Sequence, residues 1–150
     1  MVQLEGVSIA KPAPPETYLG VAESMIAGVN VLAKHGVAGL ALPLVAAHTL
    51  ECALKAHLSR DGRDSRLRQP ALRHHIEELW KLARTEGLPI GDVPDWAANL
   101  SRIHNEPYYL RYSTGIHGIV TPAPEPIASE LAAIIGTVRQ AIHDYRKSLE

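Results

Sequence analysis

The sequence predicts an all-α fold, an antiparallel up-down bundle of about five helices. Three observations carry that expectation. Apolar residues recur at helical spacing in several segments, most clearly from Ile127 to Leu149. Glycines and prolines mark the gaps between those segments. No stretch alternates apolar and polar residues over the length of a strand. Helices joined by short connections pack against their neighbours in opposite directions.

The first helix is expected from about Pro15 to His35, with Leu19, Ala22, Ile26, Val29 and Ala33 on one face and Gly36 placed to end it. Gly20 and Gly28 each weaken it by about 1 kcal/mol relative to Ala, so packing must hold it. The second, about Leu42 to Ser59, is apolar nearly all round, which is the pattern of a helix surrounded by others. His48, Glu51 and Lys55 fall on one narrow face of it. A loop rich in arginine, residues 60–70, leads to a third helix over about Ala71 to Glu86, closed by Gly87. Its inward stripe is Leu72, His75, Ile76, Leu79, Leu82 and Ala83, and His74, Glu77, Glu78 and Lys81 face away. The fourth starts near Asp95, a capping residue after Pro94, carries Trp96, Leu100 and Ile103 inward, and must kink or end at Pro107. Ser113 to Pro124 reads as loop. The last helix begins near Pro126 and keeps register through Ile127, Leu131, Ile134, Ile135, Val138, Ile142, Tyr145 and Leu149.

Composition bounds the function. With 150 residues, 46 % hydrophobic and 21 % charged, the chain suits one globular domain, residues 1–150, with 1–14 an extended N-terminal lead-in. A net charge of −1 supplies no global basic field, so nucleic-acid binding would need a local patch. Cys52 is the only cysteine, which excludes an internal disulfide and a cysteine-based zinc site and points to a reducing compartment. Met1 to Pro15 lacks the basic-then-apolar order of a signal peptide. The longest apolar run, Gly36 to Ala47, is interrupted by Pro43 and falls short of the roughly 20 residues that span a bilayer. A cytoplasmic protein without a membrane partner is expected.

Four groups of residues could carry chemistry, and each has a plainer explanation. Eight histidines in a bundle suggest a di-iron carboxylate site, but that site needs Glu-x-x-His pairs, and here the order is reversed in His48–Glu51 and His75–Glu78. Satisfied core or surface histidines account for them, and no metal or cofactor is expected. Glu51 and Lys55, spaced i, i+4, form either a structural ion pair or the polar shell of a site reached by His75 or His104. Arg60, Arg63, Arg66 and Arg68 could grip phosphate, or could be a solvated connection offset by Asp61 and Asp64. Arg111 and His117 could stabilise a phosphate and move a proton, with Tyr108, Tyr109 and Tyr112 upstream to stack bases. Otherwise they belong to a tyrosine-rich helix end packed on the bundle.

Three stretches, 46–58 around Glu51 and Lys55, 75–80 opening on His75, and 100–112 ending in Arg111-Tyr112, follow one another as in the HEPN family of helical-bundle domains, which the chain resembles over about residues 39–112. The resemblance implies a homodimer. It also implies one of two roles. Many members are metal-independent ribonucleases of toxin–antitoxin, phage-defence or RNA-processing systems, and others are non-catalytic dimerisation modules. The family's ribonuclease motif is an Arg, four to six residues, then a His. Arg111 and His117 satisfy that spacing, with Tyr112 after the Arg and Gly115 and Gly118 around the His where active members begin a helix. His104 with Arg111 supplies the same side chains in reverse order. The expected function is therefore a dimeric RNA-associated protein, with RNA and an antitoxin-like protein as partners. The alternatives are a non-catalytic module of the same fold and a metal-dependent helical-bundle enzyme.

Overall fold

The computed structural model describes residues 2–4, 7–9, 13–37, 39–112 and 123–150. Five helices follow one another among them: α1 (Glu16–Lys34), α2 (Ala41–Leu58), α3 (Ile76–Thr85), α4 (Asp95–His104) and α5 (Pro124–Lys147). The chain is the all-α bundle that its periodicity predicts. One addition lies in the expected lead-in, where β1 (Val2–Leu4) pairs antiparallel with β2 (Val7–Ile9), Val2 opposite Ile9 and Leu4 opposite Val7. Three residues per strand are too few for an alternation to register as a pattern. None of the described helices is long and apolar enough to cross a membrane.

α2 packs against all four other helices, which is why it can be apolar on every side. Every residue from Thr49 to Ser59 is buried, and Leu50 and Leu54 meet Ile76, Leu79, Leu100, Ile127 and Leu131 in one core. Residue contacts give the helix directions. Gly28 sits against Val45 and Tyr18 against Lys55, so descending α1 means ascending α2, and the two are antiparallel. Glu23 pairs with Arg139 and Glu16 with Arg146, which makes α5 antiparallel to α1 as well. Trp80 packs edge-on to Trp96 while the Glu77 amide donates to Ser101 Oγ, so α3 and α4 form an antiparallel pair beside α2.

The glycine stops behave as expected. At Gly36 (φ +59°) the Val37 amide donates to the Leu32 carbonyl and the Gly36 amide to Ala33. At Gly87 (φ +92°) Leu88 donates to Ala83 and Gly87 to Arg84. Both are Schellman motifs, which need a residue at ease with positive φ. Two boundaries differ from expectation. Pro94, not Asp95, holds the N-cap position of α4, and Asp95 lies in its first turn. α3 begins at Ile76, five residues later than its apolar spacing suggests. The reason is a competition for backbone groups. A helix from Ala71 would pair the Arg73 carbonyl with the Glu77 amide, but that carbonyl accepts Lys55 Nζ at 2.6 Å and that amide donates to Ser101 Oγ at 3.1 Å. Residues 71–74 are held as turns instead.

Candidate functional site

The displaced start of α3 decides which histidine meets Glu51. Facing directions computed for a continuous helix do not apply to residues 71–75. His74, expected to face away, places Nδ1 3.1 Å from Glu51 Oε2. His75, expected in the shell around Glu51, instead shares a hydrogen bond with Asn105, whose Nδ2 lies 2.7 Å from its Nε2. His75 is half-buried against Asn105 and does not bond Glu51, so its expected place in the polar shell of Glu51 is taken by His74. Spacing alone could not reveal this, because the turn at 71–74 is held by the bonds of Lys55 to the Arg73 carbonyl and of the Glu77 amide to Ser101.

Glu51 is the hub. Lys55, one turn along α2, donates to Oε1 at 2.6 Å, and His104, in the last turn of α4, places Nε2 2.6 Å from Oε2. Burial opposes charge on this carboxyl. The hydrogen bond from His104 and the charge and hydrogen bond of Lys55 outweigh burial and hold its pKa down to about 2. Glu51 is therefore an acceptor, and both imidazoles act as donors toward it, His104 through Nε2 and His74 through Nδ1. The other nitrogens differ. His104 is 1 % exposed and its Nδ1 has no partner among the described residues. The His74 side chain is 22 % exposed, and its Nε2 is left as the acceptor nitrogen. His48 completes the polar face of α2, with Nε2 3.8 Å from Cys52 Sγ. Its pKa is pushed down by burial and by the charges of His104, Arg111 and Lys55, against the pull of Glu51.

A rim of aromatic and cationic side chains surrounds His74. The Tyr108 ring stands edge-on to it at 5.7 Å and to Tyr112 at 6.4 Å. The Arg73 guanidinium donates to Tyr108 Oη at 3.5 Å. Arg73, Arg111 and Tyr112 are exposed, the last by 60 %, and Tyr109 is half-buried. Tyr108 has φ +64°, a left-handed conformation unusual for a bulky side chain and one that concentrates at functional sites. Of the residues singled out in the sequence, Glu51, Lys55, His104, Tyr108 and Tyr112 gather here, and Arg111 lies close enough for its charge to act on His48. His117 lies outside the described residues.

Glu51, His74 and His104 bring three ligand atoms within 4.8 Å of one another. Two imidazoles and a carboxylate suit a divalent cation, and neither of the two sequence pairs pointed to this trio. Against a cation, Oε1 already holds the Lys55 ammonium and Oε2 receives both imidazoles. The arginine loop resolves toward structure. Arg63 pairs with Asp61, Arg68 with Asp64, and both Arg60 and Arg66 with Glu86. Away from the Glu51 cluster, a groove of about 710 Å³ is lined by His57, Arg60, Glu86 and Tyr145 and by Ala133 and Gly136 of α5. No protein-family model, no curated protein and no solved structure matches the chain.

Proposed function

We propose that the chain is a HEPN-like, homodimeric, RNA-associated protein of the cytoplasm that cuts RNA without a metal ion. The observation that carries this reading is one partly exposed imidazole, His74, with an ionised carboxylate on one ring nitrogen and Arg73, Tyr108 and Tyr112 around it. Arginine forks match the oxygens of a phosphodiester. Tyrosine faces stack unpaired bases. A histidine can take or give a proton near neutral pH. In this reading Arg111 meets the phosphate, His117 supplies acid or base, and Tyr108, Tyr109 and Tyr112 hold the strand. A toxin-type system would add an antitoxin-like protein partner.

A second reading, a non-catalytic dimerisation module of the same fold, has its own support. The bonds of Glu51 and Lys55 end on α4 and on the 71–74 turn of the same chain, so the cluster also works as a clasp. Incubation of the purified protein with a mixed RNA pool in chelator, beside Arg111→Ala and His117→Ala, separates the two. Cleavage that both variants lose supports the ribonuclease. RNA left intact by the unmodified protein supports the module.

A further inference from the structure

We propose that His74 is the general base of this site, the group that removes the 2′-hydroxyl proton of a bound RNA strand, and that Glu51 is the residue that positions it. The inference rests on the ribonuclease reading above and names a catalytic residue that the Arg111 and His117 spacing leaves out.

Four histidines other than His117 lie in or beside the cluster, and geometry separates them. His104 spends Nε2 on Glu51, and its Nδ1 is sealed inside the protein. His48 faces Cys52 through Nε2, and its Nδ1 is likewise buried without a partner. His75 is engaged with Asn105. His74 alone of the four combines a carboxylate on one ring nitrogen with exposure of the ring. A donor bond from Nδ1 to an ionised carboxylate fixes the tautomer, so that Nε2 carries the lone pair on a ring that is partly exposed. The same carboxylate stabilises the imidazolium formed when Nε2 takes a proton. Lys55 on Oε1 and His104 on Oε2 keep Glu51 ionised and stationary, so the ring it holds does not drift. The surroundings suit a phosphodiester. Arg73 is held beside His74 through the Tyr108 hydroxyl, and the exposed Tyr112 ring, packed on Tyr108, is available to a flanking base.

The step balances without an oxidant or a metal. His74 Nε2 takes the proton of the 2′-hydroxyl as the 2′-oxygen bonds to the adjacent phosphorus. The bond from phosphorus to the 5′-oxygen breaks, and that oxygen takes a proton from water. The products are a 2′,3′-cyclic phosphate and a 5′-hydroxyl, and the imidazolium returns its proton to solvent. Arg73 and Arg111 offset the charge on the non-bridging oxygens.

The test uses the full chain with a labelled single-stranded oligoribonucleotide in chelator, comparing the unmodified protein with His74→Ala, alone and with added imidazole. The proposal expects cyclic-phosphate ends from the unmodified protein. It expects a loss of about 10²-fold or more in His74→Ala, partial restoration by imidazole, and unchanged helical circular dichroism. Restoration by a free base is an effect that a merely structural histidine would not show. Cleavage by His74→Ala within threefold of the unmodified protein overturns the base assignment and leaves the ribonuclease reading standing on His117. Loss without restoration also overturns it and makes His74 a structural residue. Cleavage that appears only when a divalent cation is supplied overturns both readings and assigns Glu51, His74 and His104 as ligands. No cleavage under any condition removes the ribonuclease reading and this inference with it.

Discussion

Charged residues gather at two places, around Glu51 in the middle of α2 and just beyond its C-terminal end, and the chain treats them differently. Beyond the end of α2, Arg60 and Arg66 converge on Glu86, and Arg66 also donates to the Leu58 carbonyl. Every arginine of the 60–68 loop has a carboxylate partner. Around Glu51 the arrangement is reversed. The carboxylate is buried and fully engaged, while Arg73 and Arg111 at the rim have no carboxylate partner among the described residues. Paired arginines at a surface close a loop; unpaired ones beside an oriented imidazole leave charge available to a ligand. In the sequence the first group reads either as a phosphate grip, because its four arginines stand together, or as a solvated connection offset by Asp61 and Asp64. Local density of one residue type says nothing about whether its charges are already spent.

The contrast is broken most forcefully by removing each hub. Glu51→Gln leaves the Lys55 ammonium buried with only the Arg73 carbonyl and a neutral amide. Stranding a buried charge in this way costs about 3–5 kcal/mol. Glu51→Gln combined with Lys55→Met removes both charges and should recover much of that loss, a coupling that a double-mutant cycle measures directly. Glu86→Gln leaves Arg60 and Arg66 partly in water and should cost about 1 kcal/mol or less. Urea denaturation of the unmodified protein, Glu51→Gln, Lys55→Met, the double variant and Glu86→Gln decides the matter. Equal losses at Glu51 and Glu86 would erase the distinction between the two ends.

Acid sharpens the comparison, because the two ends fail in different windows. Burial, then the charge of Arg60, push the His57 pKa from 6.5 down to about 4, against the hydrogen bond to the Glu86 carbonyl. Between those values the unfolded chain binds a proton at this position and the folded chain does not. Stability therefore falls as the pH drops from 6.5 to about 4, by an amount on the order of 3 kcal/mol. Glu51 has the depressed-carboxyl pattern, 4.5 lowered to about 2, so its contribution is intact above 4.5 and lost between 4.5 and about 2. Melting temperature followed from pH 7 to 3 should fall in two stages. His57→Gln should flatten the first stage and leave the second. A variant whose first stage is as steep as that of the unmodified chain would show that His57 is not its source.

Much of this architecture could be read from residue spacing, and the parts that could not share a cause. Helix number, the central place of α2 and the stops at Gly36 and Gly87 follow from local pattern, since periodicity and positive φ are properties of a short segment. Glu51, Lys55 and His104 were legible as a polar group because a charged face on an all-apolar helix needs partners. His74 was not legible. Its direction depends on Lys55 capturing the Arg73 carbonyl and Ser101 capturing the Glu77 amide, two long-range bonds with no trace in the spacing of residues 71–86. The left-handed Tyr108 was hidden for the same reason, since nothing local distinguishes it from Tyr109 or Tyr112.

A smaller effect tests the hinge between the paired region and the rest. Gly87 (φ +92°) closes α3 immediately after Glu86, and no atom would obstruct a Cβ there. Gly87→Ala should therefore cost only the backbone term, about 1–2 kcal/mol, read as a shift in the urea midpoint at constant slope. A loss several times larger would mean that Glu86 moves with the turn and that the ion pairs of Arg60 and Arg66 depend on it.

The smallest effect on stability belongs to the rim, and there the comparison bears on function. Arg73 and Arg111 are exposed and lack a carboxylate partner among the described residues, so Arg73→Ala and Arg111→Ala should each change unfolding free energy by no more than about 0.5 kcal/mol. Under the proposed function the same variants should weaken single-stranded RNA binding, and each should reduce the slope of log affinity against log salt by about 0.7. Arg63→Ala, equally exposed but paired with Asp61, should leave both stability and the salt slope nearly unchanged. Fluorescence anisotropy with a short oligonucleotide at several salt concentrations reads all three. If Arg63→Ala lowers the slope as much as Arg73→Ala does, the ligand is sensing total charge rather than the rim around His74, and the difference between paired and unpaired arginines has no functional meaning.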